Sequence, residues 1–339
     1  MTRVAVVGAG YFGQFHYDAW SRMDGCELVG LMTRSGTGAA ETAAKYGVEA
    51  TYTDLAEMAA DAKPDLVDIT APPETHLETI RTLAPSVKWL ICQKPFCRTP
   101  DEAAEAIAFA MSHDARIVIH ENIRFQPWYR AIKGLLNEDR LGDVYQVTFR
   151  LRPGDGQGPN AYMDRQPYFQ KMERFLVHET GIHWIDTFRF LLGEVISVSA
   201  DLRQLNPAIA GEDAGVVQFA FASATRAIFD GNRLADHAAE NRRLTLGELT
   251  IDGSQACLHL TGEAKILLRD HGSNGWQGHA YDWNDHLFGG DCVYLTNKAA
   301  LEALKSGSPA ETEAEAYLRN LEIEDAVYRS HQERRWIDV

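Results

Sequence analysis

The chain has 339 residues, a length that favours roughly two domains. Hydrophobic residues make up 45% and charged residues 24%, which suits packed cores and argues against a disordered chain. The formal net charge of −15 opposes a nucleic-acid backbone or an anionic membrane as the main partner.

No apolar run reaches the roughly 18 residues that a membrane span needs. The start, MTRVAVVGAG, lacks the apolar stretch and cleavage site of a secretory signal, so a cytoplasmic protein is expected. Cys26, Cys92, Cys97, Cys257 and Cys292 are scattered, odd in number and form no CxxC pair, so neither a disulfide framework nor a zinc ribbon is expected.

The first third alternates strand and helix signals. A β-branched run at 4–7 precedes a helix over 11–23, and a second strand lies at 28–32. A helix over 39–46 closes at Gly47, and Tyr52 marks a short third strand. Asp54 caps a helix over 55–62, with Glu57 three residues on. A fourth strand at 66–70, a helix over 74–83 and a fifth strand at 89–92 follow. Thr99 and Glu102 form a capping box, with Pro100 at the first helical position of a run through 111, before a sixth strand at 117–119. This alternation implies a parallel sheet covered on both faces.

After Asn122 the pattern changes. A helix over 127–138 and a half-buried strand at 144–152 lead into 153–167, where three Gly and three Pro exclude regular structure. An apolar helix over 179–192 stops at Gly193, with Trp184, Ile185 and Phe188 as core. Strand-like runs follow at 195–202, 216–221, 226–230, 244–251, 257–260 and 265–268, then helices over 294–304 and 313–331. The expected fold class is α/β. A doubly wound parallel Rossmann sheet occupies 1–122, and an α+β domain with a large, mostly antiparallel open sheet occupies 123–339. An open sheet needs cover, so a homo-oligomer, dimer or tetramer, is expected, with residues 123–339 serving substrate binding and oligomerisation.

Gly8-Ala9-Gly10-Tyr11-Phe12-Gly13 is a G-x-G-x-x-G turn placed directly after an apolar strand and opening a helix. Gly8 permits the tight turn, Gly10 a close approach to pyrophosphate, and Gly13 helix–strand packing. The phosphates are expected on the free N–H groups of the helix start, at Tyr11 and Phe12. The second strand ends Leu31-Met32-Thr33-Arg34-Ser35, without the acid that holds the ribose in NAD-selective sites. Thr33 and Ser35 are suited to donate to a 2′-phosphate and Arg34 adds charge, so NADP is favoured and NAD is left open.

Lys94 sits just past the fifth strand, where ligands bind in open α/β sheets, and is suited to stabilise an alkoxide. Glu179 and His183 lie four residues apart, about 40° around an α-helix, and share a face. Such a histidine suits acid/base work on an alcohol, with Glu179 orienting it or holding a second hydroxyl. His178 and His183 are five apart, about 140° around, so no metal site is expected and His178 is placed on the pocket wall. Asp186 reads as structural. Arg152, Asp155, Tyr162 and Arg165, on or beside the long loop, suit a polyhydroxylated ligand, with Arg124 and Tyr281 as further contacts; an oligomer contact or lid is the competing reading.

Taken with Ala71-Pro72-Pro73-Glu74-Thr75-His76, Gln93-Lys94-Pro95 and Glu179-Thr180-Gly181-Ile182-His183 in this order, the glycine turn resembles the Gfo/Idh/MocA oxidoreductase family. The resemblance covers essentially the whole chain. It implies catalysis by Lys94 and His183 and adds Pro72, His76 and Lys94 to the cofactor site. The stretch HETGIHWID looks most like the family's bacterial aldose dehydrogenases. It implies NAD(P)-dependent oxidation of a small aldose or polyol, with D-apiose and its lactone as the expected pair. The chain departs from the family at Gln93, where Glu is usual, and at Glu179, where Asp is common. A non-enzymatic dinucleotide sensor and a glycoside hydrolase with a transient redox step remain as alternatives within the same fold.

Overall fold

β1 (Thr2–Val7) lies inside a six-stranded parallel sheet with β2 (Cys26–Met32), β3 (Thr51–Tyr52), β4 (Leu66–Ile69), β5 (Trp89–Gln93) and β6 (Arg116–His120), in the order β3-β2-β1-β4-β5-β6. Each inner strand is an almost continuous buried run, as a sheet covered on both faces requires. The helices α1 (Gly13–Ser21), α2 (Ala39–Tyr46), α3 (Leu55–Ala62), α4 (His76–Leu83) and α5 (Pro100–Ser112) supply the cover. Asp54 accepts from the Glu57 N–H at 2.8 Å and Thr99 from the Glu102 N–H at 3.2 Å, so both expected caps form. The order reverses direction between β1 and β4, and such a switch point opens a crevice at the carboxyl ends of the strands.

The second sheet is built after α6 (Pro127–Asn137). It contains β7 (Val144–Leu151), β8 (Val195–Arg203), β9 (Ala214–Phe221), β10 (Arg226–Asn232), β11 (Gly247–Gly253), β12 (Ala256–Leu260), β13 (Ile266–Asp270), β14 (Gln277–His279) and β15 (Ile337–Asp338). The order is β14-β13-β12-β11-β7-β10-β9-β8-β15, antiparallel except for β7 with β10. The helix α7 (Ile182–Leu192) packs on it through Trp184, stacked on Phe149 at 4.1 Å, and Phe188, edge-on to Phe219. The short β14 and β15 escaped the sequence reading because two or three residues show no periodicity.

The structure describes residues 1–339 in a computed structural model, and its contacts divide the chain into two units. One is Met1–Asn122 with Val293–Leu321; the other is Ile123–Cys292 with Glu322–Val339. This corrects the assignment of everything after 122 to the second domain. Most of α8 (Cys292–Ser306) and the first part of α9 (Ala314–Glu333) belong to the first unit. Ala300, Leu301 and Leu304 share a core with Val4, Tyr17 and Trp20, and the Ile119 N–H donates to the Thr312 carbonyl at 2.8 Å. No helix is long and apolar enough to cross a membrane.

A second correction concerns the helix expected over 179–192. Leu176–Gly181 forms a π-helical turn, with the Ile182 N–H reaching Val177, and the α-helix starts only at Ile182. Contacts from distant chain hold this turn. One Glu212 carboxylate oxygen accepts from the N–H groups of Phe175 at 3.2 Å and Val177 at 3.1 Å and from the Tyr328 hydroxyl at 2.6 Å. The Tyr328 oxygen accepts in turn from the His178 N–H at 3.2 Å. The 40° and 140° angles drawn from a regular α-helix therefore do not apply across this segment.

Candidate active site

Gly8 takes φ +109°, a conformation that side chains rarely adopt, and a Cβ there would lie 2.9 Å from the Thr70 hydroxyl. The turn is thus pressed against the end of β4 and held by the Gly8 N–H on the Met32 carbonyl at 2.8 Å. Open space surrounds the Cβ position of Gly10, within 4 Å. Tyr11 and Phe12 lead into α1, whose first turn carries no acid, so the positive end of the helix suits a phosphate. At the end of β2 the Thr33 hydroxyl is buried without a hydrogen-bond partner, while Arg34 is exposed. A buried orphan hydroxyl beside an open glycine turn fits the ribose and pyrophosphate of a dinucleotide.

Lys94 follows β5, one strand beyond β4, and is half-buried. Behind it runs a buried polar chain. Gln93 Oε1 accepts the Lys94 N–H at 2.8 Å, and Gln93 Nε2 lies 3.0 Å from His16 Nε2. His16 Nδ1 and Trp20 Nε1 meet Asp68 Oδ2 at 2.8 and 2.7 Å. This chain was not anticipated; only the unusual Gln93 pointed to it.

His76 is placed differently from expectation. Its ring is fully buried, with Nε2 on the Ala71 carbonyl at 2.8 Å and Nδ1 accepting the Cys97 N–H at 3.5 Å. Burial lowers it to about 4, so it is a neutral brace between the loops after β4 and β5 rather than a cofactor contact. Pro72 lies exposed on the first of these loops.

In the second unit the organising residue is one that sequence reasoning missed. Arg233 is 5% exposed and its Nη1 reaches the Thr180 hydroxyl at 2.5 Å and the Glu179 carboxylate at 3.3 Å. Its Nε donates to the Tyr162 hydroxyl at 2.8 Å and its Nη2 to Asp155 at 3.1 Å. Arg165 donates to the same Asp155 oxygen at 2.5 Å. Burial works to raise Asp155, but Arg233 and Arg165 outweigh it and hold the carboxyl below its ordinary range. Burial likewise opposes the charge on Arg233, yet Asp155, Tyr162 and Glu179 leave it raised. A signal did exist: Ala227, Phe229 and Gly231 are the buried positions of β10, and Arg233 continues that phase.

Asp155, Tyr162 and Arg165 are therefore brought together with Glu179, but as parts of an internal network rather than as side chains reserved for a ligand. Gly156 belongs to it too, since a Cβ there would come within 2.9 Å of the Tyr162 hydroxyl. Arg152, just past β7, reaches across to β10, bonding the Asp230 carbonyl and carboxylate at 2.6 Å each. Arg124 forks onto Asp186 through two 2.6 Å bonds, which gives Asp186 the structural role expected of it. His178 Nδ1 pairs with Glu324 at 2.7 Å, and the Tyr281 hydroxyl donates to the Ala264 carbonyl. His183 is the second residue of α7, buried, with its ring edge-on to Trp184.

A parallel sheet in this order, with a glycine turn at its switch point and a lysine past β5, defines an NAD-binding Rossmann-fold protein. Residues 2–121 match the "Oxidoreductase family, NAD-binding Rossmann fold" and residues 129–259 the "GFO/IDH/MocA C-terminal domain". The chain belongs to the Gfo/Idh/MocA family of oxidoreductases. It is 28% identical over 342 residues to a D-apiose dehydrogenase of Paraburkholderia graminis, covering 99% of this chain and 89% of that one. A D-apiose dehydrogenase of Rhizobium rhizogenes is 26% identical, with 99% and 96% covered. An oxidoreductase of Agrobacterium radiobacter solved with NAD+, L-tartaric acid and magnesium superimposes with a TM-score of 0.88 at 25% identity, covering 99% and 98% of the two chains.

Proposed function

We propose that this oxidoreductase is a dehydrogenase of small aldoses or polyols, with D-apiose the first substrate to test and its lactone the product. The observation that carries the reading is the coincidence, in one unit, of an open glycine cradle with Lys94 past the carboxyl end of β5. The two relatives named for D-apiose support the sugar class. NADP is proposed over NAD because the end of β2 offers Thr33 and Arg34 and no carboxylate to repel a 2′-phosphate.

A bound nicotinamide ring supplies the hydride acceptor, a chemistry no side chain provides. Gly8, Gly10, Gly13, the N–H groups at Tyr11 and Phe12, and Thr33 would hold the dinucleotide. Lys94 Nζ donates to the substrate hydroxyl and stabilises the negative charge that grows on its oxygen. The imidazole of His183 takes the hydroxyl proton, and Glu179, held by Arg233 and Thr180, orients the sugar or the ring. The test is a panel of aldoses and polyols, D-apiose included, with NAD and NADP, read at the absorbance of the reduced nicotinamide. Substrate-dependent reduction is expected. Tight coenzyme binding without turnover of any panel member overturns the enzyme reading in favour of a sensor.

A further inference from the structure

We propose that Arg233 is the positioning residue of this site, one guanidinium setting both the Glu179 carboxylate and the loop over 153–167. Where this bears on turnover it rests on the dehydrogenase reading; the pairing itself does not.

The argument is geometric. Glu179 Oε2 receives the Thr180 hydroxyl at 2.5 Å and faces Arg233 Nη1 at 3.3 Å, while Thr180 itself is held by the same Nη1. The opposite edge of the guanidinium faces the loop, through Tyr162 and Asp155. Its backbone takes part as well, the Gly156 N–H donating to the Arg233 carbonyl at 2.9 Å. The rings of Tyr162, Phe169 and Phe175 lie 5.1, 5.7 and 4.9 Å from Cζ, a box suited to a flat delocalised cation. Asp155 and Glu179 balance Arg233 and Arg165 in charge, so no uncompensated ion is buried. A lysine ammonium carries charge but no planar fork, and cannot span both partners.

Two measurements decide the matter. In 15N-labelled protein the Arg233 guanidinium signals, assigned by their loss in Arg233→Lys, are expected to exchange slowly with water and to shift on Glu179→Gln. Fast-exchanging signals indifferent to that change overturn the proposal, whether or not any sugar is oxidised. With a substrate found in the panel, Arg233→Lys is expected to lower kcat by about 10²-fold at unchanged coenzyme affinity, because a displaced catalytic shell costs about that much. Adding Glu179→Gln to it is expected to cost little more, since the two act as a unit. Should Arg233→Lys not fold, Asp155→Asn keeps the arginine and is expected to lower kcat roughly tenfold. An unchanged kcat per folded molecule, in whichever variant folds, reduces Arg233 to scaffold and overturns the proposal. A panel without any turnover sinks the dehydrogenase reading alone, and the guanidinium signals still decide the pairing.

Discussion

His16 Nδ1 lies 2.8 Å from Asp68 Oδ2, with both side chains fully buried. Asp68 as acceptor puts the hydrogen on Nδ1, so Nε2 is left to accept from the Gln93 amide, whose oxygen takes the Lys94 N–H. His16 Nε2 meets a donor only when residue 93 presents an amide hydrogen to it. Gln93→Glu removes the hydrogen that His16 Nε2 needs and brings a second buried carboxyl close to the Asp68 pair. The expected cost is on the order of 2 kcal/mol in thermal unfolding, for a buried acceptor left unmet. A kcat lower by roughly tenfold is expected through the displaced Lys94 backbone. Unchanged melting and turnover would show that the chain does not set Lys94.

Lys94→Met and His183→Ala each remove one half of the proposed proton and charge handling. Each is expected to cut kcat by at least about 10²-fold, while coenzyme titration by fluorescence stays near wild type. Near-normal turnover in either variant takes that residue out of the mechanism.

The proposed preference for NADP rests on the end of β2. Arg34 is exposed next to the orphaned Thr33 hydroxyl, so Arg34→Asp replaces a favourable charge by a repelling one without disturbing a core. The ratio of kcat/KM for NADP over NAD is expected to fall by at least about tenfold, or 1.4 kcal/mol. A ratio unmoved by the substitution places the selectivity elsewhere.

The first unit was legible because its structure is written locally. The parallel strands are mostly short buried apolar runs, and Gly47, Asp54 and Thr99 end or start helices as their residue types imply. Pairings made across long separations left no such trace. Arg233 meets Glu179 from 54 positions away and Asp155 from 78, so an arginine with no local signal of its partners joins two acids read separately, one as catalytic and one as a substrate contact. The π-turn was hidden for the same reason, since it is Glu212 and Tyr328, far along the chain, that hold its N–H groups. Ala300 and its neighbours likewise return to the first core from a segment that reads only as an amphipathic helix.

His76 converts burial into a pH dependence. An exposed imidazole titrates near 6.5, whereas the folded ring resists protonation until about pH 4. The unfolded chain therefore takes up the proton first, so the stabilisation is complete above about 6.5 and is lost as the pH falls toward 4. Those two values correspond to about 3 kcal/mol at the full extent. Protonation also puts a hydrogen on Nδ1, which faces the Cys97 N–H and finds no acceptor there, so the brace between the two loops fails as the charge arrives. His76→Gln keeps a donor for the Ala71 carbonyl and has nothing to titrate. In calorimetry between pH 7 and pH 4.5 the wild-type melting temperature is expected to fall more steeply than that of the variant, and two parallel profiles would refute the assignment.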